Sequence, residues 1–269
     1  MNTIVRLGAV NYLNVRPLVH GLDRDPRVRL RFDIPATCAD LLAAGQIDLG
    51  MIPSIAYLDR PTDVVIPGIC IGSDGPIVSV ALFTRRPVAE IASIALDTSS
   101  RTSVMLTRIL CARWFGIAPA FIPHAPDLPL MLNAADAALL IGDPALFADA
   151  DSLGAEKVDL GAAWTEMTGL PFVWAFWAGP AAPLGTDVVD TLARAAASGR
   201  AHIDDIAAAY CAGDADRIAL ARTYLRDNLK FDFTARAIEG VERFYAEAAH
   251  LGCVSAGGRI RFLGAADGA

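Results

Sequence analysis

LLAAGQIDLGMIPSIAYL (residues 41–58) and MLNAADAALLIGDPALF (131–147) are two loose copies of one unit. Each reads as the end of a helix, an aspartate, a short apolar strand, and then a proline that opens the next helix. One copy lies in the first half of the chain and the other in the middle, which predicts two lobes built alike. Outward from these copies, strands are expected over 4–10, 28–34, 64–71, 78–84, 94–96, 120–122 and 171–178. Helices are expected over 36–44, from the hydroxyl run 97–103 onward to about 115, and over 128–134. Strands that alternate with helices argue for an α/β fold with a mainly parallel sheet covered on both faces. From 186 to about 249 the chain reads as almost wholly helical, broken near Ala212–Asp214, with a last small strand over 259–263.

Two similar lobes with a ligand cleft between them is the architecture of a solute-binding protein. The chain is expected to cross between lobes near Thr84–Val88 and near Phe176–Pro183. That assigns 1–84 plus 183–269 to the first lobe and 85–182 to the second.

With 269 residues, 54% hydrophobic and 20% charged, the chain is long enough for a core in each lobe. A net charge of −7 argues against nucleic acid as a partner. The five cysteines, at 38, 70, 111, 211 and 253, are widely spaced and lack C-x-x-C, so they read as small core residues. The four histidines, at 20, 124, 202 and 250, have no ligand spacing, and neither a metal nor a cofactor is expected. The opening MNTIVRLGAV has no apolar leader core, and no run of about eighteen apolar residues occurs. The expectation is a cytoplasmic protein with no membrane partner, a monomer or homodimer.

Chemistry is sought where strands end and helices begin, because unpaired N–H groups and the helix dipole favour anions there. DTSSRTSV (97–104) is the densest such place. One cap explains one hydroxyl, yet five of the seven residues 97–103 after a short strand carry one. Ser99, Ser100 and Thr102 are therefore candidate carboxylate ligands. NYLNVRP (11–17) follows the first strand and offers Asn11, Asn14 and Arg16, where the alternative is an ordinary turn. In SDGPIVSV (73–80), Ser79 starts a strand and can face the cleft. Asp143 with Pro144 reads as a helix start, and its charge sets it against an anion. The aromatics of LPFVWAFW (170–177) read as packing, with one available to floor the cleft. No nucleophile–base pair, nucleotide loop or phosphate loop is present.

Six stretches together carry a family resemblance: YLNVRPLVHGL (12–22), DLGMIPSIAYL (48–58), IGSDGPIVSVALF (71–83), LDTSSRTSV (96–104), ALLIGDPAL (138–146) and GLPFVWAFWAG (169–179). They resemble the chorismate dehydratases of the futalosine route to menaquinone. The resemblance implies a two-lobed, type 2 periplasmic-binding-protein-like fold. It also implies a hydro-lyase that removes water from chorismate, a dianion, to give 3-[(1-carboxyvinyl)oxy]benzoate. Asn14 matches the family's active-site asparagine, and Ser79, Ser99, Ser100 and Thr102 would hold a carboxylate. Arg16 is a further candidate clamp. The alternatives are a non-catalytic anion-binding protein and the sister 1,4-dihydroxy-6-naphthoate synthases. The sister signature resembles S-P-C-P-N-D, where this chain has VNYLNVRP.

Overall fold

The structure, a computed structural model, describes residues 4–182, 184, 186–255 and 258–264. The chain begins with β1 (Val5–Val10), a 3-10 turn over Leu13–Val19, β2 (Val28–Asp33), α1 (Pro35–Ala43), β3 (Leu49–Pro53) and a 3-10 turn over Ser54–Asp59. Pro35 opens α1 at the position where a missing N–H costs nothing. Then come β4 (Val64–Ser73), β5 (Val80–Thr84), β6 (Ser93–Asp97), α2 (Arg101–Leu110), β7 (Ala120–His124), α3 (Leu128–Ala134), β8 (Ala137–Ile141) and α4 (Gly142–Leu146). The rest is β9 (Glu156–Asp159), α5 (Leu160–Thr168), β10 (Phe172–Gly179), α6 (Thr186–Ala201), α7 (Ile203–Tyr210), α8 (Ala215–Thr223), β11 (Lys230–Phe233) and α9 (Ala235–His250).

Two sheets form, ordered β2-β1-β3-β10-β4-β11 and β7-β6-β8-β5-β9. The repeat is real in space. β1 pairs in parallel with β2 and β3, and β6 pairs in parallel with β7 and β8. The two copies thus place β3 and β8 at equivalent positions in the two sheets.

The fourth strand of each sheet corrects the expectation of mainly parallel pairing. β10 runs antiparallel to β3 and β4, and β5 runs antiparallel to β8 and β9. Both sheets are mixed, because the first strand after each crossing, β5 and β10, runs against its neighbours. The crossings consequently lie at residues 74–79 and 169–171, not near 84–88 and 176–183 (Pro183 lies outside the described residues). Strands joined by a turn such as GSDGP read as neighbours in one sheet, but here that turn carries the chain from one sheet to the other.

β10 is buried along its whole length, as a central strand should be. The Phe172 ring meets Trp164 and Phe244 at centroid distances of 5.2 and 4.9 Å, edge to face. Such pairs add roughly 0.5–1.5 kcal/mol beyond the burial itself, and they fix the strand that brings Trp174 to the cleft.

Two short edge strands were not expected. β9 is four residues long, and β11 shows its period-2 pattern over only KFDF, inside a stretch that otherwise reads as helix. Residues 259–263 form a single bridge, Val65 to Phe262, rather than a strand. Cys38, Cys70 and Cys111 are buried, and burial pushes the Cys38 and Cys111 thiols up to about 12. They are unreactive core residues. Among the described residues, no cluster of three or more His, Cys, Asp or Glu side chains is arranged to hold a metal, and no helix is long and apolar enough to cross a membrane.

Candidate functional site

The carboxyl ends of β1, β3 and β8 and the start of α2 converge on one small cavity between the sheets, about 50 Å³ in volume. Its apolar surface comes from Val10, Pro53, Ile71, Ile77, Val80, Ile141, Trp174 and Ala175. Its polar surface comes from Tyr12, Asn14, Ser79, Ser100, Thr102 and Ser103. Trp174 is held in place by its indole N–H, which donates to Ser73 Oγ at 3.2 Å.

The hydroxyls at the start of α2 divide their work. Ser100 is the N-cap: its Oγ accepts from Ser103 N at 3.2 Å and lies 2.9 Å from Ser103 Oγ. Thr102 Oγ1 accepts from Ile55 N at 3.3 Å, tying α2 to the turn after β3. Ser99 does not line the cavity. Its hydroxyl and its backbone N–H both donate to Asp97 Oδ1, at 2.6 and 2.8 Å. Ser103 takes the place that Ser99 was expected to fill, because α2 begins at Arg101 and turns residues 100, 102 and 103 inward. Asp97 is fully buried at the end of β6, its Oδ2 has no partner, and burial raises its pKa.

Ser79 sits on the first crossing, which is held tightly. Asp159 accepts from Ile77 N and Val78 N, and Thr165 accepts from Gly75 N. Val78 has φ = 56°, a left-handed conformation that is a true outlier for a β-branched residue. Strain of this kind persists only where surrounding bonds over-determine it, and it gathers at functional sites. Ser79 Oγ lies 2.7 Å from Tyr224 Oη. Asn14 Oδ1 is buried without a partner.

Asp143 is no helix cap. Its Oδ1 accepts from Leu13 N at 3.0 Å, and its other oxygen accepts from the Tyr210 hydroxyl. α4 follows the second sheet and Leu13 follows β1, so this carboxylate bridges the two halves beside the cavity. Burial raises its pKa. Next to it, Gly142 has φ = 63°, and a Cβ there would lie 2.7 Å from the Tyr12 ring. Only glycine lets Tyr12 lie flat against this turn.

Arg16 is not brought to the cavity. It lines a separate hollow with His20, Phe32 and Tyr210, where its guanidinium stands 4.4 Å from the Phe32 ring centroid and donates to Asn11 Oδ1 at 2.8 Å. Of the six expected site residues, Asn14, Ser79, Ser100 and Thr102 meet at one cavity, while Ser99 and Arg16 stand outside it. Tyr12, Ser103 and Trp174 join them. Sequence spacing could have found Ser103, the fifth hydroxyl of its cluster. Nothing local marked Tyr224, 145 residues from Ser79.

The chain matches the family described as menaquinone biosynthesis over residues 5–250. A chorismate dehydratase from Thermus thermophilus is 34% identical over 188 residues, 64% of this chain and 68% of that protein. Among solved structures, the alkanesulfonate-binding protein SsuA from Xanthomonas axonopodis pv. citri, bound to MOPS, superimposes with a TM-score of 0.69 at 16% identity, covering 94% of this chain and 95% of that one. A conserved Candida albicans gene product with the generic periplasmic-binding-protein fold superimposes at 0.66 with 12% identity, covering 94% and 91%. At these identities the two structures speak for the fold alone: it is the periplasmic-binding-protein fold.

Proposed function

The chain belongs to the menaquinone biosynthesis family, and on that premise we propose that it is a chorismate dehydratase. The reaction is the elimination of water from chorismate to give 3-[(1-carboxyvinyl)oxy]benzoate. The relative from Thermus thermophilus supports the substrate. The single observation that carries the chemistry is the pairing, in one cavity, of the hydroxyl-rich start of α2 with an apolar floor under Trp174.

Chorismate carries one carboxylate on its six-membered ring and a second on the enolpyruvyl ether. In this reading Ser100, Thr102 and Ser103 hold the ring carboxylate at the positive end of α2, and Trp174 and Ile71 pack on the ring. Removal of the C3 proton leaves charge that spreads into the ring carboxylate, where fixed donors stabilise it most. The C4 hydroxyl takes up the proton removed from C3 and leaves as water, and the new double bond makes the ring aromatic, which drives the reaction forward.

Ser79 donates to the substrate on the other side. Asn14 is a neutral amide and far too weak a base, so the substrate's enolpyruvyl carboxylate takes the C3 proton while Asn14 orients the reacting groups. Replacement of Asn14 by Asp tests this division of labour: a loss of activity fits it, and a gain contradicts it. The compartment this reading assigns is the cytoplasm, and the class is hydro-lyase.

Chromatography of purified protein mixed with chorismate tests the proposal. Formation of 3-[(1-carboxyvinyl)oxy]benzoate is the expected outcome. Chorismate recovered unchanged from folded protein rejects it in favour of a non-catalytic binding protein.

A further inference from the structure

Tyr224 lies behind the cavity wall and is almost completely buried. It opens a π-helical turn, Tyr224–Asn228, that continues α8 and precedes β11. Single π turns inside helices gather at functional sites. This one grips the first crossing twice: Tyr224 Oη meets Ser79 Oγ at 2.7 Å, and Asn228 Nδ2 donates to Pro76 O at 2.9 Å.

The direction of the hydrogen bonds follows from counting donors and acceptors. The partner of the Tyr224 hydroxyl is Ser79 Oγ, at 2.7 Å. The single phenol proton, fully buried, must go to Ser79 Oγ, since a buried donor without an acceptor is costly. Ser79 Oγ has accepted, which frees its proton for the cavity. The result is a Ser79 hydroxyl aimed as a donor at whatever binds, in the cavity that Asn14 also lines. Burial raises the Tyr224 pKa far above its ordinary value, so the phenol keeps its proton.

We propose that Tyr224 is the positioning residue that sets the hydroxyl direction of Ser79. This rests on the dehydratase reading for its consequence but not for its geometry. The Ser79 hydroxyl donates to a substrate oxygen as negative charge develops.

Two measurements separate the proposal from the reading beneath it. Proton NMR of the ligand-free chain follows the hydroxyl proton of Tyr224. The wild type is expected to show a slowly exchanging hydroxyl proton, and Ser79→Ala to lose that protection. Equal protection in both overturns the proposal, whether or not chorismate is turned over. In the kinetic arm, Tyr224→Phe is expected to lower kcat about tenfold or more and to change KM less than about threefold, with an unchanged melting temperature. The same change on a Ser79→Ala background is expected to cost less than about twofold, as for residues acting through one another. The comparison of Ser79→Ala/Tyr224→Phe with Ser79→Ala also stands if the single Tyr224 variant folds poorly, because the double variant removes both partners together. A full tenfold loss on the Ser79→Ala background means that Tyr224 acts independently, and the proposal falls. If the wild type leaves chorismate unchanged, the dehydratase reading fails, and the NMR arm alone decides the positioning role.

Discussion

The start of α2 brings three hydroxyls to the cavity within four residues, Ser100, Thr102 and Ser103, whereas the wall from β1, β4 and β10 offers Tyr12, Asn14 and Trp174 among aliphatic side chains. The first wall is local: one cap motif and one helix end provide it. The second is assembled from residues up to 165 positions apart, Val10 to Ala175. The difference teaches how labour is divided. An anion is held by a prefabricated device that a helix N-terminus supplies at little cost. The proton-handling groups instead need a network across the fold, in which Ser79 is fixed by Tyr224 and the crossing is held by Asp159.

This contrast can be broken at several points. The largest effect is expected at Ser79. Ser79→Ala removes a donor aimed at developing charge, so kcat/KM for chorismate should fall by roughly 10²–10³, as for other preorganised donors. Thr102→Val, on the hydroxyl wall, should instead raise KM about tenfold, because the ring carboxylate is held there from the start, and should lower kcat less than Ser79→Ala does, because only part of the charge that grows on that carboxylate meets Thr102. Equal kcat losses for the two variants would erase the distinction between the walls.

Gly142→Ala is expected to destabilise the chain by about 1–2 kcal/mol, the cost of a left-handed alanine, and to displace Tyr12. Thermal melting with a kinetic assay checks both. The smallest effect is expected at Asp97. Its raised pKa means that the folded chain favours the protonated carboxyl. That benefit is present below the ordinary carboxyl value of 3.8 and is lost as pH rises through the raised value. Asp97→Asn should therefore melt a few degrees higher than wild type at pH 8, and the gain should vanish near pH 4. A gain that does not depend on pH would show that Asp97 stays ionised in the folded chain.

Most of the fold was legible because its period and punctuation are local. The repeat at 41–58 and 131–147 announced two like sheets, and glycine and proline marked helix starts. The crossings were misplaced because GSDGP is the same signal whether a strand returns to its own sheet or leaves for another. β11 was missed because a four-residue alternation inside a helical stretch is too short to outweigh its surroundings. Ser100 and Thr102, read from a helix start, and Asn14 and Ser79, which the family resemblance singled out after strand ends and turns, meet at one cavity. Ser99 misled because the hydroxyl cluster does not itself reveal where α2 begins, and one residue of register sends a side chain to Asp97 instead of the cavity. Arg16 misled because charge alone suggested a clamp, while its stacking on Phe32 depends on a fold-level contact with β2.

The central claim is that this cavity catalyses rather than merely binds. The most direct test counts how many equivalents of chorismate one chain converts to 3-[(1-carboxyvinyl)oxy]benzoate. The account predicts conversion far beyond one equivalent in the wild type, falling at least a hundredfold in rate in Ser79→Ala at an unchanged melting temperature. Chorismate that binds and is released unaltered, or conversion that is indifferent to Ser79, would contradict it.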